Sequence, residues 1–335
     1  MLNNINRLLS RKNKSVCVSI LFSVITLLLL TPAVSSAALL DIELNPRVPG
    51  PYQEVTAEVK GAVFDLKTAH IYWYLNEEIK ADGVGETSFS FTTGSIDEDS
   101  VIDVVVVTLD GKRLDKSKTI TPIEVDILWE ADTYTPPFYK GKALPTYKSD
   151  IKLVAIPNSR KVAAHELMFT WKQDRFSINK NASGYGKNSF IIQGDIPPTP
   201  EFVGVEIESL NGTYTASKQI SVTTVDPDIV LYKNEPLTGI SYQNALVKRM
   251  QTNKQSVTIR MEPFYFSNDD YLLTRLAYKW LADNKEISNS TVNNRDIVLS
   301  IPTTRKYSTI QAIVSNTVKW IQEAQNTLSI EYKAE

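Results

Sequence analysis

Hydrophobic and polar residues alternate in short runs along most of the chain, and this period of two predicts β-strands with one buried face. Three of the runs each precede a tryptophan in a second apolar run, which we expect to lie in a core. The alternating runs and their tryptophans are, in chain order, Val55–Val59 with Trp73, Ile151–Ile156 with Trp171, and Val257–Met261 with Trp280. The pattern predicts an all-β protein.

The alternating pattern is repeated three times. The three tryptophans lie 98 and 109 residues apart, and the flanking strands recur in the same order around each of them. Two of the late valine-rich or isoleucine-rich strands lead into hairpin signals, Asp110-Gly111 and Asn211-Gly212. A repeat of this length predicts tandem domains, because solenoid repeats are shorter, about 20–50 residues.

Domain boundaries follow from the repeat. We predict domains at residues 38–124, 125–225 and 226–335. The joins between them, Thr121–Glu124 and Val225–Asp228, are short. Short joins favour a semi-rigid rod over loosely tethered domains.

The N-terminus differs from the rest of the chain. Residues 1–15 contain four basic and no acidic residues, and an apolar run follows from residue 16 to about residue 30. Small residues around Ala37 complete the pattern of a secretory signal, so we predict residues 1–37 as a signal peptide. The alternative is an uncleaved anchor, because residues 16–34 come close to the about 20 residues that cross a bilayer. Both interpretations predict export.

Composition limits the classes of function. The chain has 335 residues, of which 42% are hydrophobic and 22% charged, as in globular proteins. Its single cysteine, Cys17, lies in the N-terminal segment, so the mature chain can form no disulfide and no thiol nucleophile. The charge is −2 for the whole chain and becomes −6 without the four basic residues of the signal. This acidity argues against nucleic acid as a partner.

The tryptophan-centred pattern resembles that of immunoglobulin-like sandwiches, in which an indole on a central strand fills the core. Without cysteines, the resemblance is to bacterial Ig-like or PKD-like modules, and it implies that all three tryptophans are core residues. Two stretches, residues 124–145 and 183–190, are also similar to a family of uncharacterised exported proteins of small-genome bacteria. That resemblance implies no activity.

Candidate catalytic groups are few. The two histidines, His70 and His165, lie in different predicted domains, with no partners spaced for a metal site or a triad. The chain has no P-loop and no G-x-S-x-G motif. A glycosidase would need paired carboxylates, but the acidic clusters fall in predicted solvated turns. These clusters are Glu77-Glu78, Asp97–Asp99 and Asp269-Asp270. We predict no enzymatic site and no cofactor.

Calcium at the joins is a separate question. Glu124 and Asp126 lie at the first join, and Asp226 and Asp228 lie at the second. Carboxylates from two elements suit calcium, but the loop sequence typical of a calcium site is absent. The sequence predicts no metal site and leaves calcium at the joins open.

The candidate binding residues are four aromatic residues of the second domain, Tyr134, Phe138, Tyr139 and Tyr147. Exposed aromatic rings can stack on sugars or anchor a protein partner. The alternative is that they cover the end of the sandwich or pack against the neighbouring domain. A related stretch in the third domain, residues 236–242, favours a structural role for both.

The sequence therefore predicts three tandem Ig-like β-sandwich domains after an N-terminal signal or anchor segment. The function that fits best is that of a non-catalytic structural or interaction protein of the cell envelope or extracellular space. Its partner would be a protein or glycan of the envelope, with membrane contact only through residues 16–34 if they are not cleaved. The alternative function is a carbohydrate-binding or adhesion module that uses the aromatic loop of the second domain.

Overall fold

The computed structural model describes residues 40–61, 64–174, 177–268, 275–287, 294–301 and 307–333. Two expectations lie outside these residues: the N-terminal signal or anchor and the acidic pair Asp269-Asp270. The described part forms three successive units, each with two facing sheets.

Unit 1 contains the first seven strands. Its smaller sheet has the order β1–β2–β5, and its larger sheet has the order β4–β3–β6–β7. Alternate residues of β2, such as Val55 and Ala57, point inward and are fully buried, as the period of two predicts. The strands are β1 (Leu40–Asn45), β2 (Glu54–Gly61), β3 (His70–Leu75), β4 (Glu78–Val84), β5 (Ser88–Thr92), β6 (Ser100–Val107) and β7 (Arg113–Pro122).

Unit 2 repeats this arrangement. Its smaller sheet is β13–β9–β8 and its larger sheet is β11–β10–β14–β15, with β12 also paired to β10. A 3₁₀ turn at Ala164–Glu166 precedes β10. The strands are β8 (Glu124–Ala131), β9 (Asp150–Asn158), β10 (Leu167–Gln173), β11 (Ser177–Ile178), β12 (Gly184–Tyr185), β13 (Ser189–Gln193), β14 (Pro200–Ser209) and β15 (Tyr214–Thr223).

Unit 3 has the same two sheets with additional strands. The smaller sheet has the order β17–β16–β19–β22, and the larger sheet has the order β18–β24–β23–β20–β21. In the larger sheet, β18 runs parallel to β24. The strands are β16 (Asp228–Glu235), β17 (Gly239–Leu246), β18 (Arg249–Thr252), β19 (Ser256–Phe264), β20 (Leu276–Ala282), β21 (Lys285–Glu286), β22 (Asp296–Ser300), β23 (Tyr307–Asn316) and β24 (Glu323–Tyr332).

The division of strands between two sheets is that of an immunoglobulin-like sandwich. Each unit has its own cluster of buried apolar residues, and Trp73, Trp171 and Trp280 lie buried in the first, second and third cluster. The prediction of an all-β chain of tandem Ig-like sandwiches is confirmed. The predicted domain boundaries stay predictions, and they fall at or beside the short connections from β7 to β8 and from β15 to β16.

Residues 236–242, compared above with the aromatic loop, form the turn after β16 and the first half of β17, which pairs with β16 in a hairpin. Gly239 permits this turn because its φ is +78°, in the left-handed region that glycine adopts without strain. The hairpin widens the smaller sheet of unit 3 and places Tyr242 on its outer face.

Candidate functional site: the interfaces between the units

The first join is a continuous piece of sheet. The end of β7 pairs in parallel with the start of β15, with Thr121 opposite Tyr214. The Thr121 amide donates to the Thr213 carbonyl at 2.6 Å, and the Ile123 amide donates to the Thr215 carbonyl at 2.9 Å. The larger sheets of units 1 and 2 thereby become one nine-stranded sheet.

Acidic side chains of unit 1 reinforce this join. Asp97 accepts hydrogen bonds from the Ser159 hydroxyl at 2.6 Å and the Arg160 amide at 3.0 Å. Asp99 accepts one from Lys161 Nζ at 3.1 Å. The acidic cluster that the sequence places in a solvated turn therefore contacts unit 2 through two of its three members.

These contacts favour the charged carboxylates. Burial acts to raise the pKa of Asp97, but hydrogen bonds from the Arg160 amide and the Ser159 hydroxyl outweigh it, so the pKa lies below its ordinary value of 3.8. Hydrogen bonds from Thr121 and Lys161 lower the pKa of Asp99. The join is therefore held most tightly when both groups are ionised.

The second join is made by residues 132–149, the long connection between β8 and β9, which we call the clasp. Its backbone pairs with unit 3 just after β19. The Tyr134 amide donates to the Phe266 carbonyl and the Tyr265 amide donates to the Tyr134 carbonyl, both at 2.7 Å. A bridge between Thr133 and Ser267 continues this pairing. Unit 2 thus extends a short strand segment onto unit 3.

Aromatic rings of the clasp cover the outer face of the smaller sheet of unit 3. The Phe138 ring stacks on Tyr242 with a centroid distance of 3.8 Å. The Tyr139 ring meets Phe264 edge-on at 5.3 Å, and its hydroxyl lies 3.0 Å from that of Tyr265. The two aromatic stretches that the sequence compares, one in each unit, are in direct contact.

A charged network lies beneath these rings. The Glu262 side chain is only 3% exposed. Its Oε1 accepts from Arg260 Nε at 2.8 Å and from the Tyr242 hydroxyl at 3.2 Å, and its Oε2 accepts from Arg295 at 2.8 Å. Arg260 also donates to Asp296 at 2.6 Å. Burying charges is costly unless each one is paired, and this network supplies the partners.

Tyr134 connects the clasp to this network. Its hydroxyl accepts from Arg295 at 3.3 Å, and the guanidinium lies 5.8 Å from its ring centroid. The ring also packs against the buried core cluster of unit 3. One side chain of unit 2 therefore takes part in both the polar and the apolar contacts of unit 3.

The β23–β24 turn of unit 3 holds the far end of the clasp. Gln322 Nε2 donates to the Tyr147 carbonyl at 2.5 Å, and Lys319 Nζ donates to the Lys148 carbonyl at 3.0 Å. Tyr147 thus contacts unit 3 through its backbone, whereas Tyr134, Phe138 and Tyr139 do so through their side chains. Their role in binding sugars or partners stays a prediction.

Several residues of this interface are not identified by the sequence reasoning. Glu262 and Phe264 belong to β19, whose alternating start suggests an ordinary strand with a solvated outer face. The signal that could have marked them is the run Phe264–Phe266, where three successive aromatic residues break the alternation. Such a run indicates a strand end that is covered on both faces.

The two histidines, the remaining candidate catalytic residues, do not form a common site. His70 stacks on Tyr72 and lies 3.3 Å from Asp82, while His165 occupies the 3₁₀ turn of unit 2. Within the described ranges, no group of three or more His, Cys, Asp or Glu residues is arranged to hold a metal ion. Among the same residues, none belongs to a helix with the length and hydrophobicity that a membrane crossing requires.

No family model and no curated protein sequence matches the chain. Three N-terminal domains of the highly immunogenic outer capsid protein of bacteriophage RB49 are similar in structure, with 9% identity, coverage of 88% of this chain and 99% of that one, and a TM-score of 0.25. The central fibronectin-III array of RIM-binding protein is 11% identical over 88% and 96% of the two chains, with a TM-score of 0.30. A Bacteroides ovatus mixed-linkage glucan utilisation protein, SGBP-B in complex with a heptasaccharide, is 9% identical over 88% and 70%, with a TM-score of 0.20. Because these identities and TM-scores are low, we assign the fold of this chain from its own strand order.

Proposed function

We propose that this chain is a non-catalytic structural or interaction protein of the cell envelope or extracellular space, in which three sandwiches form a semi-rigid rod. The observation that carries the proposal is that both joins combine paired backbone with side-chain contacts between the units. A shared sheet joins units 1 and 2, and the clasp joins units 2 and 3. Such joins hold surfaces at a fixed spacing, which is what a scaffold requires.

The domain limits and the export are part of this proposal. The domains are residues 38–124, 125–225 and 226–335, each with its own core. Export rests on the basic and apolar N-terminal sequence of residues 1–37, which would be removed or would remain as an anchor. A PKD-like or Ig-like strand pattern, in a part of the chain after residue 37 that has no cysteine, fits an extracytoplasmic location. We propose a protein or glycan of the envelope as the partner.

The clasp is less suited to the alternative function of glycan binding. Phe138 and Tyr139 pack against unit 3 and Tyr134 packs against its core. A sugar could stack on these rings only if they left unit 3. We therefore favour the scaffold over a carbohydrate-binding module at this loop.

Small-angle X-ray scattering of the processed chain tests the rod. We expect one narrow distribution of interatomic distances that a single arrangement of the three units reproduces. In the variant Phe138→Ala/Tyr139→Ala the distribution should broaden, because the clasp loses its ring contacts with unit 3. Tyr185→Ala is the matched control, since this tyrosine is 53% exposed elsewhere in unit 2.

Two outcomes would contradict the proposal. One is scattering of the unaltered chain that requires freely rotating units. The other is a distance distribution that the double substitution leaves unchanged.

A further inference from the structure

Gly204 lies in the middle of β14, where the fold does not require a glycine. Its φ lies outside the left-handed region, so other residues can adopt its conformation. A Cβ at this position would lie 3.5 Å from the Lys218 carbonyl oxygen and 3.9 Å from Lys172 Cβ, which are ordinary contact distances. A glycine inside a strand often marks a place where a ligand approaches the backbone closely. Gly204 therefore calls for an explanation beyond the fold.

The other two units carry side chains at the equivalent position. Counting from each core tryptophan through its pairing with the next strand matches Gly204 with Asp103 on β6 and with Gln311 on β23. The Gln311 amide donates to Gln325 at 3.1 Å, so in unit 3 a side-chain contact lies over this part of the sheet. Unit 2 alone has no side chain at this position.

A cavity of about 310 Å³ lies over Gly204 on the outer face of the larger sheet of unit 2. Small-molecule sites have volumes of about 300–1,000 Å³, so this cavity suits a small ligand. Val205 contributes to its wall but is only 1% exposed, because its side chain points into the core. The side chains that line the cavity are polar or charged: Lys172 on β10, Glu206 on β14, and Ser217, Lys218 and Gln219 on β15. Such a lining suits a polar ligand and not a lipid.

Three successive side chains of β15 are available to this ligand. Ser217, Lys218 and Gln219 are exposed, and none of their side chains forms a hydrogen bond or an ion pair with another residue in the described ranges. Lys172 and Glu206, in contrast, form an ion pair at 2.5 Å. The hydroxyl, the amide and the ion pair can exchange hydrogen bonds with hydroxyl groups of a ligand.

The charges of the cavity favour an acidic ligand. Two lysines and one glutamate line it, and because Glu206 pairs with Lys172, the Lys218 ammonium remains to pair with an anion. A neutral sugar would leave this ammonium without a partner, and a simple anion would leave the hydroxyl and amide groups without one. A sugar that carries a carboxylate matches both features.

We propose that this cavity, which we call the unit 2 pocket, binds an acidic sugar unit of an envelope glycan. The Lys218 ammonium pairs with the sugar carboxylate. The Ser217 hydroxyl, the Gln219 amide and the Lys172–Glu206 ion pair exchange hydrogen bonds with the ring hydroxyls. This inference rests on the envelope location in the proposed function and names the class of partner. Scattering tests the rod in the absence of sugar, so a failure to bind sugar and a failure to form a rod are distinguishable.

Galacturonic acid, galactose and acetate separate the two features of the ligand. In titrations of the ¹⁵N-labelled processed chain followed by NMR, galacturonic acid should bind with a dissociation constant in the millimolar range, because a small ligand makes few contacts. Galactose lacks the carboxylate and acetate lacks the ring hydroxyls, so each should bind at least tenfold more weakly. The amide signals that shift should be those of Gly204, Ser217–Gln219 and their neighbours.

Two substitutions test the assigned roles. Gly204→Gln introduces the residue of unit 3, so it should fill the pocket and weaken galacturonic acid binding at least tenfold, with an unchanged circular dichroism spectrum. Lys218→Gln should reduce the affinity for galacturonic acid to that for galactose. Lys116→Gln is the matched control, because Lys116 has the equivalent position on β7 of unit 1, and it should leave binding unchanged.

A tetramer of galacturonic acid tests whether the ligand belongs to a glycan. We expect the tetramer to bind at least as tightly as the monomer. Binding of the monomer alone would assign the pocket to a free sugar acid and would overturn the inference of a glycan partner.

Three further results would overturn the inference. The first is the absence of galacturonic acid binding up to about 50 mM, well above the millimolar range. The second is equally tight binding of acetate, which would make the pocket a simple anion site. The third is undiminished binding in Gly204→Gln, which would place the sugar elsewhere on the chain.

Discussion

At the scale of single residues, the three core tryptophans do the same two things. Each indole ring fills the space between two sheets, and each indole N–H donates to a backbone carbonyl in the stretch before the next strand of the opposite sheet. The pairs are Trp73 with Glu86 at 2.8 Å, Trp171 with Lys187 at 2.9 Å, and Trp280 with Asn294 at 3.1 Å. The tryptophan therefore fixes a connection as well as a core.

Replacing Trp171 should show both roles. Trp171→Ala should lower the free energy of unfolding of unit 2 by about 3–5 kcal/mol, as large-to-small core substitutions do. Trp171→Phe should cost less, because it keeps a ring but loses a hydrogen bond of about 1 kcal/mol. Trp320→Ala is the control, since this side chain is 78% exposed, and it should change stability by about 0.5 kcal/mol or less. Urea unfolding followed by circular dichroism measures all three, and equal losses for Trp171→Ala and Trp320→Ala would refute the assignment.

Glu262 offers a second residue-scale test. Glu262→Gln keeps the shape of the side chain but removes the charge that Arg260 and Arg295, whose side chains are 14% and 13% exposed, share. We expect a loss of about 3 kcal/mol in the unfolding free energy of unit 3, because both guanidinium groups lose this buried carboxylate, although Arg260 keeps its pair with Asp296. Glu235→Gln on β16 of the same sheet is the matched control, because this carboxylate pairs with lysines at the surface. Its loss should be about 1 kcal/mol or less.

At the scale of elements, each join depends on a connection that leaves its own sandwich. The β5–β6 connection of unit 1 brings Asp97 and Asp99 to unit 2. The clasp brings Tyr134, Phe138 and Tyr139 to unit 3. The side-chain contacts of the first join are polar and involve charged groups, whereas those of the second join are largely aromatic. The two joins should therefore respond differently to pH.

Acid should weaken the first join. The pKa of both Asp97 and Asp99 lies lower in the folded chain than the ordinary value of 3.8. Such groups stabilise the fold above the ordinary value, and the stabilisation disappears as the pH falls through the lowered pKa. Melting temperatures between pH 2 and pH 6 should fall towards acid less steeply in Asp97→Asn/Asp99→Asn than in the unaltered chain. Asp115→Asn, an exposed residue of β7, is the control, and identical slopes in all three proteins would count against the assignment.

At the scale of the whole molecule, the clasp should couple the unfolding of units 2 and 3. Unfolding of unit 2 removes the cover from the aromatic face and the charged network of unit 3. Calorimetry should therefore show units 2 and 3 melting together. Tyr134→Ala/Phe138→Ala should split this transition and lower the melting temperature of unit 3, by about 4–8 °C for each kcal/mol lost.

The control for this coupling is Tyr185→Ala, which leaves the clasp intact and should leave the joint transition in one piece. Three independent transitions in the unaltered chain would mean that the interface contributes little to the stability of either unit.

Much of the fold follows from sequence because its signals are local. The period of two around Val55 and Ala57 specifies which face of β2 is buried, and the recurring tryptophans give three similar cores. The hairpin of β16 and β17 was not recognised, because nothing in the local sequence shows that the strand after the turn at Gly239 pairs with β16. Propensity describes a residue in its own strand and gives no information about the strand beside it.

The sequence by itself determined the all-β class and the three tryptophan-centred cores. The reason is that the alternation of polar and apolar residues, which decides the buried face of a strand, can be read from neighbouring residues. Only the tertiary structure decided the surroundings of Tyr134, Phe138 and Tyr139, because an exposed aromatic ring and one that covers another unit have the same local sequence. It also decided that Glu262 lies beneath these rings and that Lys172, Gly204 and Lys218 line one cavity. These outcomes depend on contacts between distant segments, which the packing of whole units determines.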